Sequence, residues 1–445
     1  MSERVLTLLA AVAMVCGAAT QAHAQDAAPR VTRLTLEQAQ ARALEASHRL
    51  AESRARQKVA DAVVDARQAA QRPNVVASAG YTRTNHVAEF VVPTPTGLPG
   101  VLYPDVPDNY RTRLDLQWPI YTGGRIDALE RAARAEANAV AAETSVAHAD
   151  LRLEVARAFW AVVTADASVR VLEEAVARAQ AHVNDVRERL RVGLVPPNEV
   201  SSAEAQESRQ RMLLIEAQTQ REVTLGDLGR LVGADGGELV SPLAMLEADP
   251  EPATAIDTAI ALALGARAER TALQLRVQAA NEQRDAALAG RRPSVAVAGG
   301  IDYARPNPRI FPRADRWEDS WDIGVTVNWS LWDGGRIAAD AAQASGLAEA
   351  GRHRLAEFDS VLSVEVRQRS LEIASGRAAV AAADDGVRAA READRVVGER
   401  FRAGVITQIE VLDAQLALLQ AQLDRTRALA SVRLAEARLA RAMGQ

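Results

Sequence analysis

Two stretches of the chain alternate apolar and polar residues with a period of two. In residues 110–121, "YRTRLDLQWPIY", Leu114, Leu116, Trp118 and Ile120 fall on one side and Arg113, Asp115 and Gln117 on the other. In residues 321–332, "WDIGVTVNWSLW", Trp321, Ile323, Val325, Val327, Trp329 and Leu331 oppose Asp322, Thr326, Asn328 and Ser330. A fainter alternation precedes each, as in Val75, Ala77, Ala79 and Tyr81 against Ser78, Thr82 and Thr84. Period two over about ten residues predicts strands with an apolar and a polar face, as a membrane strand between lipid and water requires. Elsewhere the pattern is helical. No Gly or Pro interrupts residues 125–191, and no Pro interrupts 336–402, although the latter holds Gly346, Gly351, Gly376, Gly386 and Gly398. Each run predicts a helix roughly 100 Å long. Near their ends the apolar spacing becomes heptad, with Val169, Leu172, Val176, Ala179, Val183, Val186 and Leu190 in the first run. Val380, Ala383, Val387, Ala390, Val397 and Phe401 repeat it in the second, with Leu412, Leu416, Leu419 and Leu423 answering from the segment that follows. Such steps predict coiled-coil contact.

The order of these elements occurs twice. "WPIYTGGRI" at 118–126 returns as "WSLWDGGRI" at 329–337, and the offset of 211 aligns Gly193 with Gly404, Glu199 with Glu410 and Gly233 with Gly444 without a gap. Upstream, Arg72-Pro73 pairs with Arg292-Pro293 at an offset of 220, so the first copy carries nine extra residues between its strands. A tandem duplication is the reading. Its expected parts are a leader at 1–24, a first repeat at 25–233, a linker at 234–255 and a second repeat at 256–445. Within the repeats we expect leading helices at about 35–71 and 256–290 and strands within about 73–121 and 293–332. Long helices at about 125–191 and 336–402 follow, then returning helices at about 198–232 and 408–443. In each "GGR" turn, Gly123 and Gly124 or Gly334 and Gly335 allow a sharp passage from strand to helix, with Thr122 or Asp333 as cap.

Composition narrows the function. The apolar run at 5–19, preceded by Arg4 and followed by Ala22-His23-Ala24, has the form of an export signal. The only cysteine, Cys16, lies inside it in a context without a lipobox, so the exported chain is expected to hold no disulfide and no Cys-based metal site. Of the six Trp and five Tyr, all but Trp160 fall in the two strand regions, as membrane-interface aromatics do. Trp118, Tyr121, Trp329 and Trp332 would form a girdle at the inner boundary. Net charge is −5, with no basic patch to suggest nucleic acid. There is no Gly-rich phosphate loop, HExxH or nucleophile elbow, and the six His are scattered, so neither an enzyme nor a bound cofactor is expected. Four strands cannot close a barrel, and an open sheet edge is not tolerated in lipid, so several copies must share one pore.

Taken with the tip segments "RVGLVPPNEV" at 191–200 and "RAGVITQIEVLDAQ" at 402–415, the duplicated unit and the strand-ending "GGR" resemble the TolC-like outer membrane efflux proteins, over essentially the whole exported length. The resemblance implies a homotrimer, mainly α, with a twelve-stranded barrel in the outer membrane and an α-helical tunnel in the periplasm. It implies the passive exit duct of a tripartite pump or type I secretion system, docked to a periplasmic adaptor and an inner-membrane transporter of RND, ABC or MFS type. Ducts of this kind carry drugs, metals or polypeptides. Val192, Gly193 and Leu194, with Ala403, Gly404 and Val405, would be the adaptor-docking tip. Glu410 and Asp413 match the family's constriction carboxylates and would form stacked acidic rings that attract cations; stabilising the first helical turn is the plainer role. Glu199 would be a gate-side partner or cap. Where some members latch the gate with tyrosine and arginine, this chain has Phe401 and Ile406. A periplasmic coiled-coil adaptor is the alternative, which would not need detergent for extraction.

Overall fold

The computed structural model describes residues 30–93, 95, 97, 99–234, 238–247 and 255–445, so the expected leader and Cys16 lie outside the described residues. The chain opens with strand β1 (Arg30–Leu34), helix α1 (Leu36–Ala46) and helix α2 (His48–Ala69). Strands β2 (Asn74–Arg83), β3 (Phe90–Pro93), β4 (Pro99–Tyr103) and β5 (Asp108–Tyr121) come next, then the 67-residue helix α3 (Arg125–Arg191) and helix α4 (Pro197–Leu231). After strand β6 (Glu238–Pro242) the order recurs as α5 (Ile256–Ala266), α6 (Ala268–Leu288), β7 (Ser294–Arg305), β8 (Glu318–Asn328), the 67-residue α7 (Arg336–Arg402) and α8 (Gln408–Ala442). Among the described residues one compact unit draws on 30–47, 150–247 and 368–441, and the other on His48–Ala149, Ala255–Arg367 and Ala442–Gln445. Each unit thus takes part of both repeats, and α3 and α7 contribute to both.

The leading segments differ from the expectation of one helix each. The first breaks at Ser47 and the second at Arg267, each in extended backbone (ψ 116° and 117°). Neither break carries a proline, so the cause is tertiary. Gly233, just past α4, lies where an added Cβ would be 2.5 Å from the Ala46 Cβ. In the second repeat, Gly444 lies where a Cβ would be 2.9 Å from the Ala266 carbonyl oxygen. The end of each returning helix therefore presses on the last turn of the leading one, and only glycine fits so close. The stretch read as a linker also holds structure, since β6 pairs in parallel with β1. Arg42 on α1 reaches Glu238 on β6 through two bonds of 2.7 and 2.5 Å and holds that carboxyl down to about 2. A five-residue strand beside turn residues leaves too short an alternation to be seen in sequence.

Strands β2, β5, β7 and β8 form one antiparallel sheet in that order. Its register sets Ala77, Leu114, Ile301 and Trp321 in one row, with Val75, Leu116, Gly299 and Ile323 in the next on the same face. The other face carries the row Ser78, Arg113, Asp302 and Ser320. The strand expected to run through Leu331 stops at Asn328, because its partner β7 begins at Ser294, just after Pro293. Among the described residues no strand lies along the other edge of β8.

Candidate channel wall and tip

On the polar face of the sheet, Arg113 donates to Asp115 (2.6 Å), Asp322 (3.0 Å) and Asp302. Arg111 adds a 2.6 Å bond to Asp302, whose side chain is buried among these arginines. Gly300 makes room for the crossing, since a Cβ there would stand 2.6 Å from an Arg113 nitrogen. The opposite face is apolar and bare: Trp321, Ile323 and Val325 are 71%, 70% and 67% exposed. Burying charge on one face only, and exposing large apolar groups on the other, is how a sheet meets water inside and lipid outside. Among the described residues no helix is long and apolar enough to cross a membrane.

Both GGR turns adopt the left-handed backbone that favours glycine, with φ of 66° and 86° at Gly123 and Gly124 and 67° and 90° at Gly334 and Gly335. Asp333 accepts from the Ile337 amide (2.7 Å) and Thr122 from the Ile126 amide (3.4 Å), which starts α7 and α3. Trp118, Tyr121, Trp329 and Trp332 are all exposed. Two of them do something the sequence did not show. The indole of Trp118 donates to the Gln71 carbonyl (3.2 Å), and that of Trp329 to the Arg291 carbonyl (3.0 Å). Each ties the end of a strand region to the short turn that follows the preceding helix.

At the turn from α3 to α4, Gly193 (φ 75°) accepts the left-handed position while its amide bonds Leu190 O (2.9 Å) and the Leu194 amide bonds Arg189 O (2.9 Å). Gly404 (φ 76°) repeats the pattern from α7 to α8, with bonds to Phe401 O (3.0 Å) and from Val405 to Arg400 O (3.1 Å). This glycine-capped ending throws its flanking residues outward. Val192, Leu194 and Val405 are 58%, 72% and 64% exposed, Ala403 is exposed, and Ile409, which the sequence reading passed over, is 69% exposed. Gln408, itself buried, joins the two turns by donating to the Glu199 carbonyl (2.8 Å).

Beneath these turns Val186, Phe401 and Val411 form a core with Val195, Val200, Val397 and Ile406 around it. Phe401 therefore needs a correction as a gate residue: it is 5% exposed and packs inside the tip instead of lining an opening. Without a hydroxyl it has no reason to stay near water. Arg189 stacks over its ring at 4.3 Å and bonds its carbonyl (3.1 Å), while the His182 ring sits 5.4 Å away. Glu410 and Asp413 are both exposed, one turn apart on α8. The Glu410 carboxylate accepts from the Thr407 amide and hydroxyl, each at 3.4 Å, which is the helix-start role. Asp413 is left facing solvent.

The sequence profile of the outer membrane efflux proteins matches residues 41–234 and 259–445, one match on each repeat. The chain belongs to the outer membrane efflux protein family. Comparison with curated protein sequences finds no match. Among solved structures, the outer membrane protein VceC of Vibrio cholerae is similar at 22% identity and TM-score 0.77, covering 92% of this chain and 96% of its own. The Campylobacter jejuni CmeC outer membrane channel matches at 17% and 0.76, over 92% and 85%. The open-state MtrE channel of Neisseria gonorrhoeae matches at 19% and 0.75, over 94% and 89%. This efflux protein therefore has the fold of a channel-tunnel, with a helical barrel and a β-barrel part. Its place is the outer membrane, reaching into the periplasm, and its function is an exit duct for efflux. The family is one of channels, not enzymes, and the adaptor alternative falls away.

Proposed function

We propose that three copies of this efflux protein close a twelve-stranded barrel, four strands from each, and that solute handed in at the helical tips leaves through the shared lumen. The observation that carries the reading is the four-stranded sheet whose outer strands, β2 and β8, each have one partner strand among the described residues, with a bare apolar face between them. Unpaired backbone groups in hydrocarbon cost several kcal/mol each, so the edges must meet strands of other copies. Arg111, Arg113, Asp302 and Asp322 then line the water-filled side. The apolar knobs Val192, Leu194 and Val405 offer an adaptor a docking face around Gly193, Ala403 and Gly404, and the adaptor couples the duct to an inner-membrane transporter. Energy comes from those partners.

The acidic pair supports a cation-attracting constriction. Glu410 and Asp413 share one exposed helix face, and a threefold assembly repeats them around one axis. Glu199, joined through its carbonyl to Gln408, holds the neighbouring turn in step with them. The test is bilayer recording of the purified channel. Wild-type protein extracted in detergent is expected as a trimer with ion conductance. The double variant Glu410→Ala and Asp413→Ala is expected to conduct more and to be blocked less by divalent cations. Unchanged recordings would remove both residues from the gate, and a monomer without conductance would remove the shared pore.

A further inference from the structure

Helices α3, α7 and α8 enclose a cavity of about 710 Å³ within the unit that holds residues 150–247 and 368–441. Residues 245–247, which follow β6, close one side of it. Four arginines from three helices line it: Arg170 from α3, Arg388 and Arg391 from α7, and Arg425 from α8. The buried part of the lining is apolar, with Leu246, Val387 and Leu429. Neither the sheet, the tip nor the acidic pair of α8 makes use of this cavity.

The charges around it do not cancel. Arg425 bonds Asp384 (2.5 Å), and Arg388 pairs with Asp385, which is outside the lining. Glu174 is engaged by Arg178 (3.7 Å). Arg170 and Arg391 are exposed, and neither side chain makes a hydrogen bond or ion pair among the described residues. Against these two cations stands one carboxylate, Glu247, which also has no partner among the described residues. Arg388 and Arg391 are three residues apart on one helix face, where like charges repel. Packing gives no reason for that repulsion, whereas an anion does. A guanidinium fork matches the oxygens of a phosphate or carboxylate two at a time, and an apolar wall strengthens the attraction. A cavity of this volume suits a small organic ligand.

We propose that the cavity binds a small organic polyanion of the periplasm, one carrying at least two phosphate or carboxylate groups. Arg170 and Arg391 hold it from α3 and α7, and Arg388 and Arg425 complete the positive field. The ligand is soluble, not a lipid headgroup. Arg170 lies roughly 70 Å along one unbroken helix from the GGR turn, beyond the reach of a bilayer on the far side of that turn. An anion held there joins α3 of the first repeat to α7 and α8 of the second.

Calorimetric titration of the full detergent-solubilised protein with pyrophosphate, citrate and acetate tests the site. One pyrophosphate or citrate per chain is expected to bind, more weakly as salt rises, and singly charged acetate is expected not to. Uptake of pyrophosphate alone assigns a phosphate ligand, and uptake of citrate alone a carboxylate one. Arg170→Gln with Arg391→Gln is expected to weaken binding at least tenfold. Without ligand, this double variant is expected to unfold at or above the wild-type temperature, because unmatched like charges have been removed. A fall in that temperature assigns the arginines to packing and overturns the proposal. Wild-type protein that takes up neither probe overturns it too, as does a double variant that binds as tightly. The sequence beyond Glu247 carries Asp249 and Glu251. Uptake that begins only after Asp249→Asn with Glu251→Gln makes the chain's own acidic stretch the occupant and overturns an external ligand. All these readouts are separate from conductance, so their failure leaves the exit duct standing.

Discussion

His182 sits in the tip core with its Nε2 buried and without a hydrogen-bond partner, against the Phe401 ring. Burial holds its pKa below the ordinary histidine range; Asp185 opposes the shift and Arg189 adds to it. The ring is therefore neutral when the tip is packed. The unfolded value is about 6.5. Below it the opened tip binds the proton more readily than the closed one. Its contribution is thus fully present above that pH and is lost as the pH falls through the lower, folded value. Amide exchange at the ends of α3 and α7 should accelerate, beyond the intrinsic change, on going from about pH 7 to about pH 5. His182→Leu should abolish that acceleration; equal acceleration in the variant would acquit the histidine. None of this was legible in the sequence, where His182 was one of six scattered histidines. Its partner Phe401 lies in the other repeat, and a pairing across repeats leaves no local pattern. By contrast Gly193 and Gly404 were legible, because a helix that must end sharply needs a left-handed residue there.

Among elements, the two long helices show where sequence reasoning succeeds. They lack proline, begin at a GGR turn and end at a tip glycine, so their extent is written locally. The breaks at Ser47 and Arg267 are not, since they answer to Gly233 and Gly444, far along the chain. Four of the five glycines inside α7 divide on the same ground. A Cβ at Gly351 would stand 2.8 Å from Val277, and one at Gly376 would stand 2.8 Å from Val432. Gly346 and Gly386 have nothing within 4 Å. Gly351→Ala and Gly376→Ala should each destabilise by about 1–3 kcal/mol through overpacking. Gly346→Ala and Gly386→Ala should each stabilise by roughly 0.5–1 kcal/mol, because the helix no longer orders a glycine. Denaturant midpoints of the four variants check this, and a common sign for all four would refute the packing argument.

At the level of the whole molecule, the sheet of this outer membrane protein carries one bare apolar face and one charged face. Its two faces are therefore unequal in what they tolerate. Ile323→Arg places a charge on the bare apolar face and should cost about 2–4 kcal/mol near the bilayer midplane, seen as loss of membrane-assembled channel. Thr326→Arg, on the water side, should assemble normally and alter ion selectivity instead. Equal loss from both would mean the faces are not so divided. The alternation that assigns these faces was plain in the sequence for β5 and β8. The ladder order was not, because nothing local records that β5 lies beside β7.

The nine extra residues of the first repeat fall where β3 and β4 form a small hairpin of their own. Arg313, from the shorter loop of the second repeat, grips that hairpin: its amide donates to Leu102 O (3.3 Å), and its guanidinium donates to Asn109 (2.5 Å) and the Tyr103 hydroxyl. Long and short loops are thereby clasped within a chain. In the three-copy duct proposed above, the clasps would recur three times around the rim. Anything arriving from outside the cell, an antibody or a phage fibre, would meet a three-lobed landing surface, and saturating a clasp-specific antibody fragment should count three per duct.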